Sequence, residues 1–168
     1  MVGTEGAFSR ITKGHGPRAP AEEKLTTYDQ IININSVIAR FGVWPSFHDA
    51  EVVSVTFAGH RPQQPSCVMV IHAWLMTDRV DARGYYILEK HTLVTFCFEQ
   101  LIESEFRSFN HQNCLSSLWI KQETFENEPA LRVEFPSNYG FDGSMLCRRV
   151  VVVNVQPCDE LGQPVVEG

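Results

Sequence analysis

The chain lacks the sequence features that identify several common classes of protein. It has no Gly-rich phosphate loop before a helical pattern, no G-x-S-x-G run, no H-E-x-x-H motif and no C-x-x-C pair, which mark nucleotide, hydrolase, metalloprotease and zinc-ribbon sites. No apolar run approaches the roughly 18 residues that span a bilayer, and the N-terminus has no signal-peptide core. These absences predict a cytoplasmic protein without a membrane partner and give no positive support for an enzyme.

Basic residues are fewer than acidic ones, and the cysteines do not suggest a disulfide framework. The five cysteines are odd in number and widely spaced, which favours small apolar residues in a reducing compartment over disulfides. The net charge of −6 leaves no broad basic surface for binding phosphates, so we expect no nucleic-acid partner. Residues 1–24 hold four basic and three acidic side chains, a balance of +1 that leaves −7 for the rest. The folded body therefore suits a basic protein partner.

The length and composition predict one globular domain. A chain of 168 residues with 43% hydrophobic side chains is long enough to bury a single core. Residues 1–24 combine Gly and Pro with scattered charge and are predicted to form a flexible leader. Residues 25–156 are predicted to form a single domain, and residues 157–168 an irregular tail.

The hydrophobic pattern predicts an α+β fold with a mainly antiparallel sheet. Apolar residues recur at helical spacing over positions 31–41, with Thr26 or Thr27 as candidate cap and Gly42 as the stop. From Phe47 onward the period is two, and about six strands are expected. They are placed at Val53–Phe57, Cys67–Met76, Thr92–Phe98, Leu115–Lys121, Ala130–Phe135 and Cys147–Val155, with Cys67–Met76 central. Residues 99–109 are a candidate second short helix, and short polar turns favour antiparallel pairing.

The densest chemistry lies in the run Trp44–Glu51, between the predicted helix and the first strand. His48, Asp49 and Glu51 are three ionisable residues within four positions. In an extended segment, the two carboxylates project to the same side as Val53, Val55 and Phe57 and lead into the core face. Buried carboxylates need partners, and the candidates on later strands are Arg132, Arg148 and Arg149. In a helical segment, His48 and Glu51 would instead meet.

Three interpretations of this run remain open. In the first, Trp44 and Phe47 anchor a corner while short polar side chains satisfy local backbone groups. In the second, the run forms part of a binding site. In the third, which is weaker, His48, Asp49 and Glu51 ligate a metal with His72 completing the set, although neighbours on one strand rarely converge. We predict no cofactor and no metal.

Four aromatic residues outside the run are candidates for a partner surface. Tyr85 and Tyr86 follow an Arg-Gly turn, and Tyr139 and Phe141 flank Gly140 in the predicted final loop. Aromatic residues at loop tips are common contacts in protein interfaces. His72, within the predicted central strand, is typical of a hydrogen-bonded core histidine.

The run also resembles a family signature. Residues 41–52, FGVWPSFHDAEV, are similar to the F-G-x-W-P-x-F-H-D-A-E signature of the immunity protein 50 family, bacterial proteins encoded beside polymorphic toxins, in which the signature precedes a strand. Downstream, Asn138, Tyr139 and Gly140 before the closing Val150–Val153 strand fit the same outline. The resemblance covers residues 30–156 and excludes the leader and the tail.

This resemblance implies a cytoplasmic, stoichiometric inhibitor that binds and neutralises a cognate toxin domain, with no chemistry of its own. Toxins that attack nucleic acids tend to be basic, which fits the acidic body. The competing hypothesis is a small-ligand or metal-binding β domain, or a hydrolase, that uses His48, Asp49 and Glu51. An exposed sheet edge leaves both a monomer and a homodimer open.

Overall fold

The computed structural model describes residues 27–59 and 62–166. Within them the chain forms a 3₁₀ helix, one α-helix and one antiparallel sheet of eight strands. The elements are the 3₁₀ helix Thr27–Gln30, α1 Ile34–Phe41, β1 Glu51–Ala58, β2 Ser66–Val80, β3 Tyr86–Arg107, β4 Cys114–Leu115, β5 Trp119–Phe125, β6 Glu128–Phe135, β7 Ser137–Tyr139 and β8 Asp142–Pro157. The predicted leader and Thr26 lie outside the described residues.

The sheet is strongly curled. Its strands follow the order β5-β6-β8-β3-β2-β1-β4-β7, yet β6 and β7 are separated in the chain by Pro136 alone. Two strands near opposite ends of the sheet therefore lie one residue apart, which requires the sheet to bend round on itself. The Ser116 N–H donates to the Pro136 carbonyl at 2.8 Å and holds this junction.

The antiparallel prediction is confirmed, but the number and extent of the strands differ from expectation. Residues 99–107 continue the 22-residue strand β3 instead of forming a second helix, because β8 pairs with this segment as far as Arg107. The expected Leu115–Lys121 strand is divided between β4 and β5. Both β4 and β7 have three residues or fewer, which is too short to show a sequence period.

One helix covers the core. α1 buries Val37 and Phe41 and packs against β8 and β3. Gly42 ends it as predicted, with φ of 89° and its N–H donated to the Ile38 carbonyl at 2.7 Å. The cap at the other end is Asn33 and not a threonine, because a separate 3₁₀ helix occupies Thr27–Gln30. Asn33 is held instead by its side-chain bond to the Val152 carbonyl at 3.2 Å.

The central strand β2 separates two different surfaces. Cys67, Met69 and Ile71 alternate into the aromatic core, while His72 lies on the opposite face. β2 pairs with β1 on one side and β3 on the other, which confirms its central place. Among the described residues, no helix is long and apolar enough to cross a membrane.

Candidate functional site

The run Trp44–Glu51 forms a fixed corner between α1 and β1. Phe47 and Asp49 both have left-handed backbone conformations, with φ of 57° and 61°. Such conformations cost residues with a side chain about 1–2 kcal/mol each and persist only where the surroundings enforce them. The enforcing contacts come from β4: the Asp49 N–H donates to the Leu115 carbonyl at 2.9 Å, and the Leu115 N–H donates to the Ala50 carbonyl at 2.9 Å.

Aromatic packing anchors the corner. Phe47 is 2% exposed, and its ring centroid lies 5.3 Å from that of Trp44 and 5.9 Å from that of Phe96. Trp44 also stacks on Tyr28 at 5.2 Å, which ties the 3₁₀ helix to the corner. These contacts match the anchoring interpretation of Trp44 and Phe47.

The corner carboxylates bind groups of the neighbouring loops. The Asn113 N–H donates to Glu51 Oε1, and Asn138 Nδ2 donates to Asp49 Oδ1 at 3.0 Å. Asp49 Oδ2 lies 2.9 Å from His48 Nδ1 in a pair that is largely open to solvent. Both carboxylates are thus engaged within the chain, and His48 is the exposed member of the cluster.

The three arginines proposed as carboxylate partners lie elsewhere. Each pairs with glutamate on the outer surface of the sheet: Arg132 with Glu103 and Glu123, Arg148 with Glu128, and Arg149 with Glu99. The expectation is wrong because the pairing of β1 shifts between Val52 and Ser54. Val52 is buried, whereas Val53 is 50% exposed. The carboxylates therefore never enter the core face, where a cation would have been required.

The thiol beside Asp49 is not an activated nucleophile. Cys114 Sγ lies 3.8 Å from Asp49 Oδ1, and burial together with the Asp49 carboxylate raises the pKa of Cys114. A catalytic cysteine needs the opposite environment, one that stabilises the thiolate. Cys114 acts here as a weak hydrogen-bond donor to the corner.

The four residues considered as metal ligands do not form a common site. Glu51 and His72 are cross-strand neighbours in register, but Glu51 bonds to the Asn113 backbone and His72 to His91. Across residues 27–59 and 62–166, no group of three or more His, Cys, Asp or Glu side chains is placed to hold a metal ion.

His72 belongs to a small cluster on the outer face of the sheet. His72 Nε2 lies 3.1 Å from His91 Nδ1, and Trp74 contacts both imidazoles, with ring centroids 5.1 Å and 5.5 Å away. Burial lowers the pKa of both histidines. The segment after β8 covers them: the Cys158 N–H donates to the His91 carbonyl at 3.0 Å, and Gly162 lies against the His72 ring. Burial thus favours the neutral form of both rings, in which one ring nitrogen can donate to the other.

A cavity of about 440 Å³, which we call the hairpin pocket, opens beside this cluster. It is lined by Trp74, Asp81, Tyr86, Ile87, Leu88, His91 and Glu160. Its walls are thus aromatic and aliphatic, and its two formal charges are carboxylates. Asp81 Oδ1 accepts the Arg83 and Tyr85 N–H groups at the tip of the β2–β3 hairpin, which fixes that carboxylate in place.

A second cavity lies at the corner and shares Trp74 with the hairpin pocket. That cavity, of about 350 Å³, is lined by Val43, Trp44, Pro45, Ser46, His48, Trp74, Leu75 and Met76. Trp74 borders both cavities. Met76 in the corner cavity and Tyr86 in the hairpin pocket are exposed apolar side chains, 52% and 59% accessible.

Three of the four aromatic residues predicted for a partner surface are exposed. Tyr85, Tyr86 and Tyr139 are 71%, 59% and 64% exposed. Phe141 is 1% exposed and its ring stacks on Phe106 at 4.9 Å, so its assignment to a surface is wrong. The chain turns at Gly140, and Phe141 directly before β8 points inward as a core residue.

Sequence reasoning missed several residues that build these two features. Asp81 and Glu160 are 79 positions apart in the chain, and only the fold brings them to one pocket. Asn113, 4% exposed, supports the corner, and its Oδ1 accepts the Asn110 and Phe141 N–H groups at 2.9 Å and 3.2 Å. The available signal was the polar segment 110–113, a composition typical of turns whose side chains bond to the backbone.

The chain was compared with protein-family models, with curated proteins and with solved structures, and no match was found in any of the three. The resemblance of residues 41–52 to the immunity protein 50 signature remains a prediction.

Proposed function

We propose that this chain is a non-catalytic immunity-type protein that binds and neutralises a basic bacterial toxin domain in the cytoplasm. The observation that carries the proposal is the hairpin pocket, in which aromatic rings and carboxylates meet without a lysine or arginine among its lining residues. The partner binds across the pocket and the adjoining corner cavity, with Trp74 at the centre of the interface.

The pocket chemistry suits a lysine or arginine side chain of the partner. Trp74 and Tyr86 line the pocket, and aromatic rings attract cations through their π faces. Asp81 and Glu160 supply carboxylates for charge-assisted hydrogen bonds. Aromatic anchors within a partly enclosed site are the residues that usually dominate the binding energy of an interface.

The charge distribution supports the same partner. Many basic side chains among the described residues form ion pairs with the chain's own acids, among them Arg79, Arg107, Lys121, Arg132, Arg148 and Arg149. The surplus over residues 25–168 is −7. A negative surface accelerates the association of a positive partner and disfavours acidic competitors.

The corner has a positioning role in this proposal. Its carboxylates are already bonded to the Asn113 N–H and the Asn138 amide. They therefore hold the backbone while His48 remains exposed to the partner. A preorganised surface of this kind loses little conformational entropy on binding.

Co-expression tests the proposal in a bacterial host that also carries the toxin-like C-terminal domain encoded by the adjacent gene. The full chain should restore growth and form a complex of one copy of each protein. Trp74→Ala and the double variant Asp81→Asn/Glu160→Gln should lose protection. A host that grows no better with the unaltered chain would overturn the proposal.

A matched control variant separates the effect of the pocket from the effect of total charge. Glu126→Gln/Glu128→Gln removes two acidic charges at the β5–β6 turn, away from the pocket. This variant should protect as well as the unaltered chain. If both double variants lost protection equally, the effect would come from net charge, and the pocket would not be part of the interface.

A further inference from the structure

After β8 the chain turns back and lays a short segment over the outer face of the sheet. This covering segment, residues 158–165, begins at Cys158, whose N–H donates to the His91 carbonyl at 3.0 Å. Further along it, Gly162 lies against the His72 ring. The covering segment therefore separates the two paired histidines from solvent.

The covering segment has its own internal turn. The Asp159 N–H donates to the Gln163 carbonyl at 2.9 Å, and the Gly162 N–H donates to the Asp159 carbonyl at 3.0 Å. Asp159 Oδ1 also accepts the Leu161 and Gln163 N–H groups at 2.9 Å and 2.8 Å. Leu161 is 84% exposed, so it does not anchor the turn in the core. A segment of this kind can open at a lower free energy than the core strands.

The histidine pair beneath the segment accepts additional protons poorly. His72 Nε2 and His91 Nδ1 lie 3.1 Å apart and share one hydrogen. If both rings are protonated, both of these nitrogens carry hydrogen and the bond between them is lost. Within the described part of the chain, His91 Nε2 is buried and has no hydrogen-bond partner, so the N–H of a protonated His91 would meet no acceptor there. A buried donor without an acceptor is costly.

Charged groups face the pair from three other parts of the fold. Asp159 and Glu160 lie on the covering segment, Arg40 Nη2 of α1 lies 3.4 Å from the His91 carbonyl, and Asp81 of the hairpin lines the same pocket as His91. The covering carboxylates favour a charged pair, but burial outweighs them and lowers the pKa of both histidines. The closed segment thus favours neutral rings, and protons favour the open one.

We propose that the covering segment is a proton-released wall of the hairpin pocket. On acidification the His72–His91 pair takes up protons, the segment swings away from the end of β8, and Glu160 leaves the pocket that it lines. Rings released into water titrate near the ordinary value of 6.5, so the segment stays closed above about pH 6.5 and opens increasingly below it. The effect on a partner in the pocket rests on the proposed function, whereas the opening itself does not.

Hydrogen exchange followed by NMR tests the opening on the free, full chain. The Cys158 N–H reports on the segment, and the Val152 N–H, donated to the Ile32 carbonyl at 2.9 Å, reports on the body of the fold. From pH 7.5 to 5.5 the protection factor of Cys158 should fall about tenfold, the change expected when one released ring takes up a full proton. Its exchange should also depend less on denaturant than that of Val152, because a local opening exposes little surface.

Two results would overturn the opening. In one, the protection of Cys158 does not change with pH. In the other, Cys158 and Val152 have the same protection and the same dependence on denaturant, which would mean that the pair is exposed only when the whole domain unfolds.

Variants assign the effect to the histidines and to the turn. His72→Leu/His91→Leu should abolish the fall in Cys158 protection, while His111→Gln, which removes an exposed histidine, should leave it unchanged. Gly162→Ala should lower Cys158 protection about tenfold at pH 7.5 with the pair intact, because alanine tolerates φ of 75° poorly. A full fall in the double variant, or no effect of Gly162→Ala, would contradict the proposal.

Calorimetric titration with the toxin-like domain encoded by the adjacent gene tests the coupling to the pocket. Its affinity for the unaltered chain should fall about tenfold from pH 7.5 to 5.5, in step with the opening, and should fall less for His72→Leu/His91→Leu. If the segment opens in acid but the domain binds at neither pH, the proposed function fails and the opening stands. If the segment opens and the affinity does not change, the coupling is overturned.

Discussion

The corner and the hairpin pocket differ in what their ionisable groups face. At the corner, Asp49 and Glu51 are bonded to Asn138 and to the Asn113 backbone. In the pocket, Asp81 is held at the hairpin tip and Glu160 makes no ion pair with another described residue. A dense run of charges in the sequence is therefore satisfied by its own fold, while two distant acids line a cavity. A cluster of charged residues in the sequence is therefore a poorer guide to a binding site than carboxylates that line a cavity in the folded chain.

This comparison predicts that the corner carries stability. Replacing Phe47 with Ala should lower the free energy of unfolding by about 3–5 kcal/mol, because a fully buried ring is removed from the core. Chemical denaturation measures this loss. The matched control is Val43→Ala, at a side chain that is 59% exposed, and it should change stability by less than about 0.5 kcal/mol. A small effect of Phe47→Ala would contradict the anchoring role.

The next effect concerns the Asp49 side chain. Asp49→Ala should cost about 1–3 kcal/mol, because the Asn138 amide loses its acceptor and alanine tolerates the left-handed conformation poorly. Asp49→Asn should cost less, since asparagine adopts that conformation more readily and retains an acceptor oxygen. Thermal denaturation of the two variants distinguishes them. Equal losses would mean that the charge, and not the geometry, holds the corner.

A smaller, pH-dependent effect should come from the His72–His91 pair. Burial lowers both pKa values below the ordinary 6.5, so the unfolded chain binds protons that the folded chain does not. This contribution is fully present above about pH 6.5 and is lost progressively as the pH falls toward the folded-state values. Asp159 and Glu160 in the covering segment, and Arg40 of α1, are the charges that face the pair.

Melting temperatures measured between pH 7.5 and 5 check this dependence. The double variant His72→Leu/His91→Leu should show a flatter decline with acidification than the unaltered chain. An identical slope in both proteins would place the acid sensitivity elsewhere.

The smallest effect on stability is expected in the pocket. Glu160→Gln should leave the free energy of unfolding within about 0.5 kcal/mol of the unaltered value, although it should weaken protection in the co-expression assay. A calorimetric scan and the growth assay on the same variant check both statements. If Glu160→Gln lowered stability and left protection unchanged, Glu160 would serve the fold and not binding, which contradicts the role proposed for the pocket.

Several parts of the fold followed from local sequence. Gly42 ended the helix because a glycine accepts the left-handed conformation at that position, and the two-residue period of the later segments predicted antiparallel strands. The two shortest strands, β4 and β7, could not be predicted, since two or three residues show no period. Residues 99–107 were ambiguous alone and became a strand only because β8 supplies a long partner.

The site was less predictable than the fold. Of the three interpretations of the corner, the anchoring one fits the packing of Trp44 and Phe47, because large aromatic rings gain free energy from burial against other rings. The arginine partners were wrong because the irregular pairing between Val52 and Ser54 in β1 reversed which residues face inward. No local pattern marks that irregularity.

By itself, the sequence determined the antiparallel class, the helix stop, the acidic balance and the position of the corner, because these depend on composition and on neighbouring residues. Only the tertiary structure decided what faces Asp49 and Glu51, and that Trp74, Asp81 and Glu160 share a cavity. Those outcomes depend on contacts between residues far apart in the chain. Strand order and register establish such contacts, and neither can be inferred from a single segment of the sequence.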